Sequence, residues 1–218
     1  MPEQADNPSL ASTIVNNEQA KAVTALSNFG ATAVTESSNL ARYIGRIIGT
    51  APEDTVGLII GDPLHAVRTL AASWYDSKVR EILDRRAVKE TAPVSPSVAL
   101  PLIRGAYDES REGLRDMWAA LIAAAMDPKR SDRIRLSFME ALKNFDPIDA
   151  VILKERNEIE GDPKPTVKAF LQNKLNISQD ELNISIGNLE KLNCAADMRN
   201  GNFIVTPQGR GILRAVAD

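Results

Sequence analysis

The chain has 218 residues with 26 Lys and Arg against 29 Asp and Glu, one His and one Cys, so its net charge is −3. One His and one Cys cannot build a zinc site by themselves, Cys194 has no second cysteine to bridge, and the balanced charge sets up no general field for polyanions. No run of 18 apolar residues exists to cross a bilayer, and the polar, acidic start is wrong for a secretory signal, so a cytoplasmic protein is expected.

Residues 1–17 hold Pro2, Pro8, Asn7, Asn16 and Asn17 with few large apolar groups, and read as a flexible leader. From about Glu18 to Ile48, Val23, Leu26, Val34, Leu40, Ile44 and Ile47 form an approximate helical stripe among small residues. The window Val56–Gly61 is the most apolar of the chain. Asp62-Pro63 reads as an N-cap followed by a first-turn proline, opening a helix to about Val88 with Val67, Leu70, Trp74, Tyr75, Val79, Ile82 and Leu83 on its apolar face.

Residues 91–96 are rich in turn formers. A short helix is expected over Ser97–Ala106, with Pro101 in or near its first turn. Asp108 is placed to cap the next helix, Glu109–Met126, where Leu114, Met117, Trp118, Leu121, Ile122 and Ala125 recur at helical spacing. Asp127-Pro128 stops it. Ser131 is expected to open a further helix lined by Ile134, Phe138, Ala141, Leu142 and Phe145.

Asp146-Pro147 restarts the chain. Helices are expected over 148–159 and 166–175, separated by the breaker Gly161–Pro165. Ser178-Gln179-Asp180-Glu181 is a capping box, and Leu182, Ile186, Leu189 and Leu192 behind it mark a buried helix face. Residues 194–198 and 203–205 flank Arg199-Asn200-Gly201-Asn202, which suits a tight hairpin. Thr206-Pro207 opens a last helix with Ile212, Leu213 and Val216 inward. The expected fold class is therefore mostly α: a leader (1–17), a helical N-terminal domain (18–146) and a winged-helix-like C-terminal module with a small β-hairpin (147–218). That module carries nine Lys and Arg against ten Asp and Glu, and its would-be recognition helix begins Asp180-Glu181. Acidic groups there repel phosphates, so sequence-specific DNA reading is not expected, although Asn183, Asn188 and Lys191 lie on the polar face.

The stretch Leu114-Arg115-Asp116-Met117-Trp118-Ala119-Ala120-Leu121-Ile122-Ala123-Ala124-Ala125-Met126-Asp127-Pro128 resembles the abortive-infection alpha (Abi-alpha) family of bacteria. The resemblance continues through Phe138–Asp149, and more weakly through Gly61-Asp62-Pro63 to Arg68, so that it covers about 55–155. It implies a setting in phage defence of the abortive-infection type. It brings no catalytic residues, and the repeated positions are those a helical core needs.

Candidate sites are few. His65 lies near Asp62 and Arg68, but Asp62 is better explained as a cap. Neither a nucleophile elbow nor a phosphate-binding glycine loop occurs. Asp108, Glu109, Glu112 and Asp116 cluster where a helix start favours negative charge. No catalytic, metal or cofactor site is expected, and no enzyme. Two basic clusters remain as anion or partner contacts: Lys78, Arg80, Arg85 and Arg86 with Lys89, and Lys129, Arg130, Arg133 and Arg135. The expected function is a non-enzymatic, defence-associated interaction protein with an unidentified protein partner. The alternatives are a nucleic-acid-binding regulator using the winged helix, or a membrane-active effector through 18–61. Self-association stays open.

Overall fold

In the computed structural model the described residues are 45–47, 49, 65–159, 161, 166–198 and 200–217, with backbone only for 65–72. The leader, most of the 18–61 stretch and the Asp62-Pro63 cap lie outside them. Helix α1 (His65–Arg85) ends earlier than its apolar pattern predicts. Ala87 takes a left-handed conformation (φ 53°), and the N–H groups of Ala87 and Val88 donate to the carbonyls of Asp84 and Leu83. This closes the last turn in the manner usually supplied by glycine. The helices before Asn176 and Asn193 end the same way, with a residue type that tolerates it.

Helix α2 (Pro96–Asp108) starts one residue before the expected position, so Pro101 sits inside it and not in the first turn. At the sixth helical position the proline forgoes the intrahelical hydrogen bond that its N–H would otherwise donate to the Ser97 carbonyl. Asp108 ends α2 and does not cap α3 (Glu112–Met126). Glu109 decides this corner. Its carboxylate accepts the backbone N–H of Arg111 and two guanidinium N–H groups of the same residue, each at 2.8 Å, which holds 109–111 out of the helix. The four carboxylates expected at one helix start are thus split: Asp108 ends α2, Glu109 holds the corner, and Glu112 and Asp116 lie in α3.

Asp127 stops α3 as expected. Ser131 opens only a single 3₁₀ turn, Ser131–Arg133, because Ile134 is extended (φ −77°, ψ 129°), and α4 begins at Leu136 and runs to Lys143. Helices α5 (Pro147–Glu158), α6 (Val167–Leu175) and α7 (Gln179–Lys191) follow. The Ser178–Glu181 capping box is formed, with Ser178 N–H donating to the Glu181 carboxylate and Glu181 N–H to Ser178 Oγ. Strands β1 (Ala195–Asp197) and β2 (Phe203–Val205) pair antiparallel, with Ala195 opposite Val205 and Asp197 opposite Phe203. Gly201 turns the hairpin at φ 78°, and Met198 N–H donates to Asn202 O at its base. Helix α8 (Pro207–Val216) is capped by Thr206 Oγ1, which accepts from Gly209 N–H. The described residues are therefore mostly helical, with this one small antiparallel hairpin.

The core is centred on α3. Every residue from Trp118 to Met126 is buried, and α1, α2, α5, α8 and the 3₁₀ turn all pack on it. One hydrophobic cluster runs from Ile47 and Tyr75 through Trp118 and Ile152 to Phe203 and Ile212. Leu182, Ile186 and Leu189 of α7 are buried as expected, with Leu192 at its edge. The outer edge of the Trp118 ring meets Gly105 in α2, where a Cβ would stand 2.3 Å from it. Gly105→Ala should therefore cost about 1–3 kcal/mol, and Trp118→Phe in the same chain should recover part of the loss in a denaturant titration. Leu189→Ala, which opens a cavity, should cost about 2–5 kcal/mol; a loss near zero would place α7 elsewhere.

Candidate functional site

The sequence leaves cations as the main candidate functional groups, and their placement decides what each can do. In the first cluster Arg80 pairs with Asp76 at 2.9 Å, Arg85 reaches Glu81 at 3.6 Å, and Lys78 reaches Glu81 at 3.4 Å and Asp116 at 4.0 Å. Arg86 has a different task. It extends from the end of α1 across α3 and donates to Ala120 O at 3.5 Å, Ala215 O at 3.4 Å and Ala217 O at 2.5 Å. Arg130 of the second cluster meets it there, donating to Ala217 O at 2.8 Å while facing Asp127 at 3.6 Å. The two clusters touch at one point, the carbonyl end of α8. Cations suit that end, because its carbonyls lack intrahelical donors and carry the negative pole of the helix.

Several members line two open grooves on different faces of α8. The larger, about 890 Å³, is lined by Arg130, Arg133, Arg135 and Arg214, with Ile134 and Phe138 beneath them and Asp132 as the one carboxylate. Arg133 meets only its exposed neighbour Asp132, at 3.9 Å. Arg135 and Arg214 are exposed and have no ion-pair or hydrogen-bond partner among the described residues. The smaller groove, about 580 Å³, takes Lys78, Arg85 and Lys154 with Asp116 and Glu158, so its charges are mixed. Arg80 and Lys129 line neither groove.

A model of the family described as abortive infection alpha matches residues 71–204, which run from within α1 to β2. The chain belongs to that family. No curated protein and no solved structure matches it. The resemblance expected over about 55–155 therefore begins later and reaches through α7 into the hairpin, and α8 with Arg214 lies beyond it.

Other groups of this Abi-alpha chain are occupied by its own architecture. Cys194 is fully buried, and burial, with Asp149 nearby, pushes its thiol up to about 12. Such a thiol is not a nucleophile at neutral pH. Asp149 is 1 % exposed; its carboxylate accepts from Asp146 N–H at 2.8 Å and from the Asn188 side-chain amide at 2.7 Å. Asn188 also donates to Asn144 O at 3.0 Å, so it lashes α7 to α5 and is not free to read bases. No local sign of this stands in the chain, since the partners are distant along it. The side chain of His65 lies outside the described ones. No group of three His, Cys, Asp or Glu is placed to hold a metal ion among the described residues.

Burial pulls the carboxyl of Glu109 up, but the hydrogen bonds from Arg111 outweigh it and hold it below its ordinary value of 4.5. Its contribution is complete above that value and disappears as the pH falls through the lower, folded one. Glu109→Gln should therefore flatten the acid side of the stability–pH curve, measured as melting temperature from neutral pH down to about pH 3. Arg86→Ala should loosen α8 before the rest. Hydrogen exchange at its last-turn amides should rise, and global stability should fall by about 1.5–3 kcal/mol, the usual scale for hydrogen bonds from a charged donor.

Proposed function

We propose that this Abi-alpha chain works in phage defence of the abortive-infection type by contacting a protein partner, without catalysing a reaction. The single observation that carries the reading is the larger groove beside α8. Arg135 and Arg214, exposed and without partners among the described residues, line it with Arg133, which meets only its neighbour Asp132, and with the half-buried Ile134 and the buried Phe138. Planar guanidinium groups recognise carboxylates in pairs of hydrogen bonds, and apolar surface beneath them gives a partner side chain somewhere to be buried. The reactive side chains point the same way: the thiol is buried, and Glu109 and Asp149 hold backbone and side-chain donors in place.

The order helix, helix, helix, hairpin, helix over 147–217 supports a winged-helix-like module, and we read it as a scaffold for contacts and not as a DNA reader. Four of its cations serve internal bonds. Arg156 donates to Phe203 O at 2.6 Å, Lys168 pairs with Asp197 at 2.7 Å, Lys174 pairs with Glu155, and Arg210 donates to Val205 O. Asn188 faces α5. Few groups remain to neutralise phosphates, and phosphate neutralisation supplies much of the affinity of DNA binders. A membrane-active role through 18–61 rests on residues outside the described ones; among the described residues no helix is long and apolar enough to cross a membrane.

The test is a phage challenge of bacteria carrying the chain. A variant with Arg133, Arg135 and Arg214 changed to Glu should lose most of the protection, read as plaque counts rising toward those of cells without the gene, while its melting temperature stays near wild type. Surface charges of this kind usually change stability by about 0.5 kcal/mol or less. Full protection by the folded triple variant would remove the groove from the function. As a control for the module, a randomised duplex pool at about 150 mM salt should yield no enriched sequence.

A further inference from the structure

We infer that the arginine-lined groove binds the start of α7 from a second copy of the same chain. The inference rests on the protein-contact reading above and names the partner. The groove asks for a short segment with at least two carboxylates and one apolar side chain on the same face, because the exposed Arg133, Arg135 and Arg214 line it together with the half-buried Ile134. The outer face of α7 presents that set. Asp180, Glu181 and Ile184 are three and four residues apart, so they share one side of the helix. Ile184 is 71 % exposed, more than any other large apolar side chain among the described residues.

This face cannot turn inward, since Leu182, Ile186 and Leu189 already commit the opposite side of α7 to the core. Nor does it reach the groove of its own chain: α7 packs on α5, α6 and β1, and none of its residues lines the groove. For this face to fill the groove, it comes from another molecule. Two charges oppose the fit, Asp132 in the groove and Lys191 at the far end of α7. The acidic pair lies in the first turn of α7, about three turns from Lys191, and meets a groove where Arg133, Arg135 and Arg214 stand against one carboxylate. The backbone N–H and then the side chain of Ser178 hold the Glu181 carboxyl below its ordinary value.

Groove and helix face are different surfaces, and each copy carries both. The contact is therefore head-to-tail, and it builds rings or filaments and not a closed two-fold dimer.

Sedimentation velocity of the full chain tests this. Wild type should associate with rising concentration, and association should weaken as salt is raised from about 50 to about 500 mM, because rim ion pairs are screened. The groove variant R133E/R135E/R214E and the face variant D180K/E181K should each self-associate at least roughly tenfold more weakly. Mixed in equal amounts they should associate again, since the mixture restores one native pair of surfaces. Ile184→Ser, at a position too exposed to unfold the chain, should weaken association as well. The proposal is overturned by a wild type that stays monomeric, by single variants that associate like wild type, or by a mixture that stays dissociated. If the chain is monomeric yet the groove variant still loses phage protection, the protein-contact reading stands with a different partner. If wild type is monomeric and retains an oligonucleotide that the groove variant releases, the groove serves nucleic acid and both fall.

Discussion

The structure depends on one helix that has no solvent face over its second half. From Trp118 to Met126 every side chain of α3 is buried, including Ala119, Ala120 and Ala123–Ala125. A helix apolar on all sides must be enclosed on all sides, because apolar area left in water is the dominant cost of leaving it open. The alanines make enclosure achievable: with little side chain beyond Cβ, neighbouring helices come close. Helices α1 and α2 cover part of it, but not all. The rest is covered by α5 and α8, which come from the far end of the chain. The packing of α8 on α3 thus joins the C-terminal helices and hairpin to the first helices through one continuous core.

Polar groups then hold this arrangement in register. Arg86 reaches from α1 past the carbonyl of Ala120 in α3 to the carbonyl end of α8, and Arg130 meets it from the 3₁₀ side. Arg111 joins Glu109 to Asp146, which ties the α2–α3 corner to the start of α5. Asp149, buried in α5, is satisfied by its own helix start and by Asn188 of α7. A buried carboxylate without such donors would be costly, so Asn188 and Asp149 are best regarded as one unit. These contacts cross long stretches of sequence, and each uses a side chain that looks from its neighbours like an ordinary surface charge or amide.

That is why the elements were more legible than the site. The buried stripe of α7, the capping box at Ser178, the Asn-Gly hairpin turn and the proline start of α8 are local signals, written within a few residues, and all are found where expected. The misplaced ends have local causes without a clear sequence mark. Ala87 takes a conformation that alanine rarely adopts, and Glu109 captures Arg111 before α3 can begin. The basic clusters were legible as clusters, but their division of labour was not. Whether an arginine meets a helix end, a neighbouring carboxylate or open solvent is set by which helices pack together, and charge order along the chain carries no record of it.

The division also changes what the exposed arginines mean. Had Arg86 and Arg130 been free, two large basic fields would have flanked α8 and favoured any polyanion. With both committed to the carbonyls of α8, and with Lys78 and Arg85 facing carboxylates of α1 and α3, the less compensated positive charge that lines the larger groove is Arg133, Arg135 and Arg214. A patch of that size is too small to neutralise a long run of phosphates, whose binding strength grows with each one engaged. It is well suited to a few carboxylates. All its cations are arginines, whose planar fork takes a carboxylate in two parallel hydrogen bonds, a geometry that a lysine ammonium does not offer. The apolar side chains beneath add surface that only a partner with an apolar group can cover, and that combination favours a protein segment over a nucleic acid backbone.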